Sequence, residues 1–214
     1  MNRSFPAQDI LVREVSISQL NELSQISIAF EIASILEISP DSEEPGEWII
    51  KERSLTHHIE KDYDAISENH PLDWAEQFDL RNWGLLFAYH GEERIGGALI
   101  AYKTPGVDML EDRDDQAVLW DIRIARAWRG MGAGKALFEA AKEWAINHNC
   151  RELKIETQTN NATAVRFYLR QGCRLGRVIP DAYPDLPDEV QVLFYLDLSE
   201  RAFKTLQGGA LCAD

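Results

Sequence analysis

The chain has 214 residues, a hydrophobic share of 45% and a formal net charge of −14. That length suits one large domain, that share supports a sizeable core, and the acidic excess speaks against nucleic acid or anionic membrane as partners. Any anion the protein binds therefore needs a local cationic site, while cationic partners are favoured.

Cys150, Cys173 and Cys212 are widely spaced and form no CxxC pair, which argues against a zinc site or a disulfide framework. The opening residues "MNRSFPAQDI" lack an apolar signal core, and no run approaches the roughly 18 apolar residues of a membrane span. The expectation is a cytoplasmic protein.

Taken in chain order, residues 10–17 read as a strand. Ser18 is placed to cap a helix over residues 19 to about 38, with Leu20, Leu23, Phe30, Ala33 and Leu36 as its apolar stripe. Residues 39–48 form a turn-rich acidic break, and 39–80 as a whole reads as helix and loop. "WGLLFAY" and "RIGGALIAYK" flank "HGEE", the pattern of a β-hairpin. An acidic loop, 108–115, leads to a strand at 117–125 with Val118, Trp120, Ile122 and Ile124 on one face. A glycine loop then opens a helix to about His148, apolar at Ala133, Leu137, Ala140, Ala141, Trp144 and Ala145. A strand at 151–158 follows, then a short helix at 161–171 ended by Gly172. "CRLGRVI" and "EVQVLFYLDL" complete the strands, and 199–214 is a tail of unassigned structure.

Strand, glycine loop, helix and strand make a βαβ unit, whose strands should run parallel with a right-handed crossover. The hairpins on either side should be antiparallel. The expected fold is α/β (α+β): a mixed, mostly antiparallel sheet of about six to seven strands with helices on both faces. One domain over 1–214 is expected, with its core at 83–198.

The glycine loop, "WRGMGAGKAL" at 128–137, fits one of three phosphate-binding patterns. A P-loop would put Arg129 at its first glycine and Ala136 at the hydroxyl that ligates magnesium. A dinucleotide fingerprint would put Lys135 or Leu137 at its third glycine. The pattern [RQ]-x-x-G-x-[GA] is matched in full by Arg129, Gly130, Met131, Gly132, Ala133 and Gly134. Arg123, Arg126, Arg129 and Lys135 gather near the helix start, where the backbone already favours anions. Such cations repel one another until an anion arrives, and a pyrophosphate would resolve the conflict. The alternative is a glycine-rich turn with solvated arginines.

"LWDIRIARAWRGMGAGKALFEAAKEWA" resembles the acetyl-CoA-binding motif of the GNAT N-acetyltransferase superfamily. "ETQTNNATAVRFYLRQGC" resembles its next motif, N-x-x-A-x-x-[FY]-Y, through Asn161, Ala164, Phe167 and Tyr168. Within the superfamily, "ETQ…N…A…FY" and "AYPDLPDEVQVLFYLDL" look like streptothricin acetyltransferases. Two positions depart from the common pattern: Arg126 where proline is frequent, and Cys173 where phenylalanine is usual.

The resemblance implies direct transfer of acetyl from acetyl-CoA to an amine, with no metal. Amides of Arg129–Gly134 would hold the pyrophosphate, and backbone around Ile122, Arg123 and Ile124 the pantetheine arm. Asn161, Ala164 and Phe167 would complete the cofactor site, although Asn161 is equally suited to cap a helix. Tyr168 would protonate the departing thiolate, or else fill the core. An ammonium with pKa about 10.4 must lose a proton before it attacks. Asp121 and Glu156, opposite in phase to their apolar strand neighbours, are the candidate bases. Alternatively, they pair with Arg123 or Lys154. Asp108, Asp121, Glu156 and Tyr183, with Asp185, are candidates to meet a small cationic amine such as a streptothricin-like antibiotic. The acidic run reads equally as a solvated loop, so its share in acceptor binding rests on charge alone. Adjacent His57 and His58 do not suit one metal and read as surface residues. Acetylation of a protein lysine or N-terminus, a non-catalytic CoA-binding role, and a homodimer are also compatible with the sequence.

Overall fold

Residues 84–102 form two strands buried along nearly their whole length, and they build the frame of their unit. In chain order the elements are β1 (Ile10–Val15), α1 (Leu20–Leu23), β2 (Phe30–Pro40), β3 (Trp48–Lys61), α2 (Pro71–Gln77), β4 (Gly84–His90) and β5 (Glu93–Tyr102). There follow β6 (Gln116–Ile124), α3 (Ala133–Asn147), β7 (Glu152–Gln158), α4 (Ala162–Arg170), β8 (Arg174–Ile179) and β9 (Gln191–Asp197). The computed structural model describes residues 10–199. The tail at 200–214, with Cys212, lies outside the described residues. Two units are present: the first holds residues 10–28, 63–153 and 197–199, and the second comprises Ala29–Asp62 and Lys154–Leu196.

In that first unit, β1, β4, β5 and β6 are consecutive antiparallel neighbours. Leu85 and Phe87 of β4 point to one face, where they join Leu20, Leu23, Trp74, Trp83, Leu99 and Val118 in a buried cluster. The opposite face carries α3, buried through Ala133, Leu137, Phe138, Ala141, Trp144 and Ala145. Helices thus cover both faces, as expected. Each buried Leu or Phe contributes roughly 1.5–3 kcal/mol.

Glycines permit the close approach of α3. A Cβ on Gly84 would lie 2.5 Å from the Trp144 ring, and one on Gly96 would lie 3.1 Å from Leu137 Cδ1. The Trp144 ring cannot yield easily: its Nε1 donates to Glu14 at 2.8 Å and its face stacks on His148 with centroids 3.7 Å apart.

The other unit holds β7 beside β9, β9 antiparallel to β8, helix α4, and the separate antiparallel hairpin β2–β3. α4 follows its reading closely, with Asn161 as N-cap, Gln171 as C-cap and Gly172 left-handed at φ 83°. The mixed α/β, mostly antiparallel fold read from the sequence is the fold observed.

Four local expectations are corrected. The helix over residues 19–38 is only α1, four residues long, followed by strand β2. Ile32, Ser34 and Leu36 are buried alternately there, and Ile32, Ile35 and Ile38 are β-branched, so period two prevails over the looser helical stripe. Ser16, not Ser18, is the local cap: its side chain accepts from the Ser18 N–H ahead of a short 3₁₀ turn. Within 39–80 the acidic break is the turn of the hairpin and α2 is helical, but the long strand β3 was not anticipated.

The fourth correction concerns β6. Leu99 pairs with Asp121 while Ile100 pairs with Leu119, so Trp120 is the extra residue of a β-bulge. A one-residue slip exchanges faces. Val118 and Trp120 therefore share the face of Asp121 and Arg123, opposite Leu99 and Gly97, while Ile122 and Ile124 lie opposite Ala98 and Gly96 beneath α3.

Replacing Gly84 with alanine should lower stability by about 1–3 kcal/mol through overpacking against Trp144. Chemical denaturation measures this, and an unchanged midpoint would contradict the close approach.

Candidate active site

Strand β6 ends in a 3₁₀ turn, Arg126–Trp128, that aims the chain into α3. Trp128 pins this turn: its Nε1 donates to Glu93 at 3.0 Å, and its ring lies 4.6 Å from that of His90. Gly130 (φ 78°) and Gly132 (φ 97°) are both left-handed, and Gly132 is the N-cap of α3. Nothing lies within 4 Å of a Cβ on Gly130, so glycine is required there for its backbone conformation, not for space.

The first backbone bond of α3 runs from Ala136 N–H to Gly132 O at 3.0 Å. The N–H groups of Ala133, Gly134 and Lys135 therefore have no acceptor within the helix. Together with the helix dipole they make a site for an anion. The amides of Arg129 and Met131 make long bonds of 3.4 Å to Arg126 O and Trp128 O, which leaves the glycine-rich half of the loop as its stronger donor set.

The expected cluster of mutually repelling cations is partly dissolved by the structure. Arg123 is 2% exposed, and its Nε and Nη2 donate to Asp121 at 2.9 and 2.7 Å. It also donates to Asp64 at 2.8 and 3.2 Å and to Ile26 O at 3.0 Å. Burial opposes its charge, but Asp121 and Asp64 outweigh that and raise its pKa. Arg129 donates to Ile124 O at 3.0 Å and to Ser27 O at 3.2 Å. Burial, followed by nearby Arg126, lowers its pKa. Its guanidinium thus ties the end of β6 to the segment after α1, while Lys135 is exposed.

The carboxylates separate clearly. Asp121 is 6% exposed and engaged by Arg123. Glu156, on β7, accepts a 2.6 Å hydrogen bond from the Tyr183 hydroxyl, which in turn accepts from Gln158 Nε2 at 3.0 Å. Burial pushes the Glu156 carboxyl above its ordinary range, while hydrogen bonds from Tyr183 and Gln191 and the charge of Lys154 pull the other way. Burial and then the charge of Glu156 raise the Tyr183 phenol well above its usual range. Asp108 and Asp185 are exposed. The acidic run is partly paired: Arg113 donates to Asp115 at 3.0 Å and to Glu152 at 2.6 Å.

Asn161 caps α4, with Oδ1 accepting from Ala164 N–H at 3.1 Å. Phe167 and Tyr168 meet edge to face at 5.3 Å, and the buried Tyr168 ring also lies 5.7 Å from Phe194. His57 and His58 are exposed on β3, and His58 Nδ1 lies 2.6 Å from Glu31. Among the described residues, no helix is long and apolar enough to cross a membrane.

Residues 49–173, more than half the chain, match the acetyltransferase (GNAT) family. The chain belongs to this family. It is 30% identical over 103 residues to a streptothricin acetyltransferase of Escherichia coli, and 33% identical over 81 residues to streptothricin acetyltransferase A of Bacillus subtilis (strain 168). Those matches cover 46% and 37% of this chain, and only 59% and 47% of the relatives. An uncharacterized N-acetyltransferase of Methanocaldococcus jannaschii is 30% identical over 138 residues, covering 62% of this chain and 85% of that protein. The fold resembles that of a Bacillus anthracis protein assigned as a streptothricin acetyltransferase and solved with acetyl coenzyme A. The TM-score is 0.68 and the identity 24%, over 88% of this chain and 99% of that one.

In this GNAT chain, the first unit gathers the loop at 129–134, residues 121–124 and Asp108; the other gathers Glu156, Tyr183, Asn161, Ala164, Phe167 and Tyr168. Sequence reasoning missed Asp64 and the hydrogen bonds of Gln158 and Gln191. Gln158 lay within the quoted "ETQ" string, but Asp64 carried no signal, being 59 residues from its partner Arg123.

Replacing Arg123 with methionine would leave Asp121 and Asp64 without this cation. Unfolding free energy should fall by about 3–5 kcal/mol, measured in urea. A change below about 1 kcal/mol would show that the buried cluster is not coupled to the fold.

Proposed function

We propose that the protein is an acetyl-CoA-dependent N-acetyltransferase acting on a primary amine of a small cationic acceptor, of the streptothricin-like class. The observation that carries this reading is the amide-rich start of α3, with Gly130 and Gly132 left-handed, in a chain of the GNAT family. The streptothricin relatives and the net charge of −14 support a cationic acceptor.

The first-turn N–H groups of α3 fit a pyrophosphate, and backbone of residues 122–124 is assigned to the pantetheine arm. Acetyl-CoA supplies the activated acetyl group: the acceptor nitrogen forms the new C–N bond as the thioester C–S bond breaks. The chain must then manage two protons. Glu156 takes the one leaving the amine; a carboxyl raised by burial is a better base near neutral pH than an ordinary one. Tyr168 gives the one required by the departing thiolate. Asp121, already engaged by Arg123, is assigned to holding β6 in place and not to proton transfer. Asp108 and the acidic run contribute field at the acceptor side.

Assaying CoA release against a panel of amines, streptothricin included, tests the reading. Turnover should be confined to small polyamines and amino antibiotics. Turnover with a protein lysine or N-terminus instead would replace the acceptor class, and none at all would favour a binding module.

Removing the Tyr183 hydroxyl deletes a hydrogen bond that lowers the Glu156 pKa. In Tyr183→Phe the acid limb of the kcat/KM profile should therefore move to higher pH. An unmoved limb, with Glu156→Gln also leaving it in place, would remove Glu156 as the base.

A further inference from the structure

Asn160 lies in the link between β7 and α4, and no sequence motif singles it out. It is 7% exposed, and its Oδ1 is, among the described residues, the buried side-chain atom that has no hydrogen-bond partner. Leaving such an acceptor unpaired is costly, and native proteins rarely do so.

The neighbours of Asn160 in the link are hydrogen-bonded. Thr159 N–H donates to Val190 O at 3.0 Å, and Thr159 O accepts from Leu36 N–H at 2.9 Å. Asn161 N–H donates to Gln158 O at 3.0 Å. Asn161 Oδ1, the atom the family motif would offer to a ligand, accepts from Ala164 at 3.1 Å. Immediately after it come Ala162 and Thr163, whose N–H groups have no acceptor within α4. The link therefore offers one fixed acceptor and a pair of helix-end donors. A secondary amide, with one N–H and one C=O, complements that set; a phosphate or a carboxylate has no proton for Oδ1. The pantetheine arm of acetyl-CoA carries two such amides.

We propose that Asn160 is a cofactor-arm ligand, its Oδ1 accepting from an amide N–H of pantetheine. This rests on the acetyl-CoA reading above. It moves the side-chain role from Asn161, which caps the helix, to its neighbour.

Calorimetric titration of the full chain with acetyl-CoA and with adenosine 3′,5′-bisphosphate, which lacks the amide arm, tests it. Asn160→Leu should weaken acetyl-CoA binding about tenfold, leave bisphosphate binding unchanged, and leave the melting temperature of the ligand-free protein unchanged or raised, because an unpaired polar atom is gone. Asn160→Ala repeats the measurement where the larger side chain disturbs packing. Unchanged acetyl-CoA affinity in both variants, equal losses for the two ligands, or a marked fall in the ligand-free melting temperature would each overturn the assignment. Failure of the wild type to bind acetyl-CoA would overturn the cofactor reading itself.

Discussion

Strand β6 is held by a guanidinium with no water around it. Arg123 binds Asp121 on its own strand, Asp64 from a distant segment, and the carbonyl of Ile26 after α1. Buried ion pairs add little net stability, because desolvation cancels most of the attraction. Their effect here is on placement. Six residues later Arg129 repeats the device, joining Ile124 O to Ser27 O. The two arginines grip consecutive carbonyls of one segment, so the end of β6 and the loop that follows are fixed to the same support. A loop meant to offer amides to an anion gains from such fixation, since donors already in position need no reordering when the ligand arrives.

This changes how the arginines of the motif should be read. From the sequence they look like a cationic cluster awaiting a phosphate. In the fold, Arg123 is engaged by carboxylates and Arg129 by carbonyls, and backbone N–H groups with the helix dipole supply a positive field at the start of α3. The acidic chain can host an anion there without a large basic patch. At Glu156, the base proposed above, a different physical effect operates: burial raises the carboxyl, moderated by Tyr183 and Gln191.

What was legible in the sequence follows from where burial or a capping residue leaves a pattern. The β4–β5 hairpin, α3, and α4 with its Asn161 cap and Gly172 stop could be read because each presents an apolar face or a capping residue. β3 could not: "WIIKERSLTHHIEK" is exposed along nearly its whole length, so no alternation is imposed on it. β2 was taken for helix because its apolar residues also fit a three-to-four spacing. The bulge at Trp120 left no mark on the pattern, yet it decides that Asp121 and Arg123 share a face with Val118. Strand phase made Glu156 a candidate, the late loop Tyr183 and the family motif Tyr168, but nothing in the sequence marked the bond that joins the first two. The sequence also could not tell Asn161, which caps, from Asn160, whose oxygen has no partner, because that difference is set by three-dimensional neighbours.

The central claim is that the α3 amides receive the pyrophosphate of acetyl-CoA. Amide NMR of the wild-type chain during titration with acetyl-CoA tests it most directly. The account predicts large, saturable shifts and slowed hydrogen exchange at Gly132, Ala133, Gly134 and Lys135. Binding that leaves these four amides unmoved, or no binding at all, would contradict it.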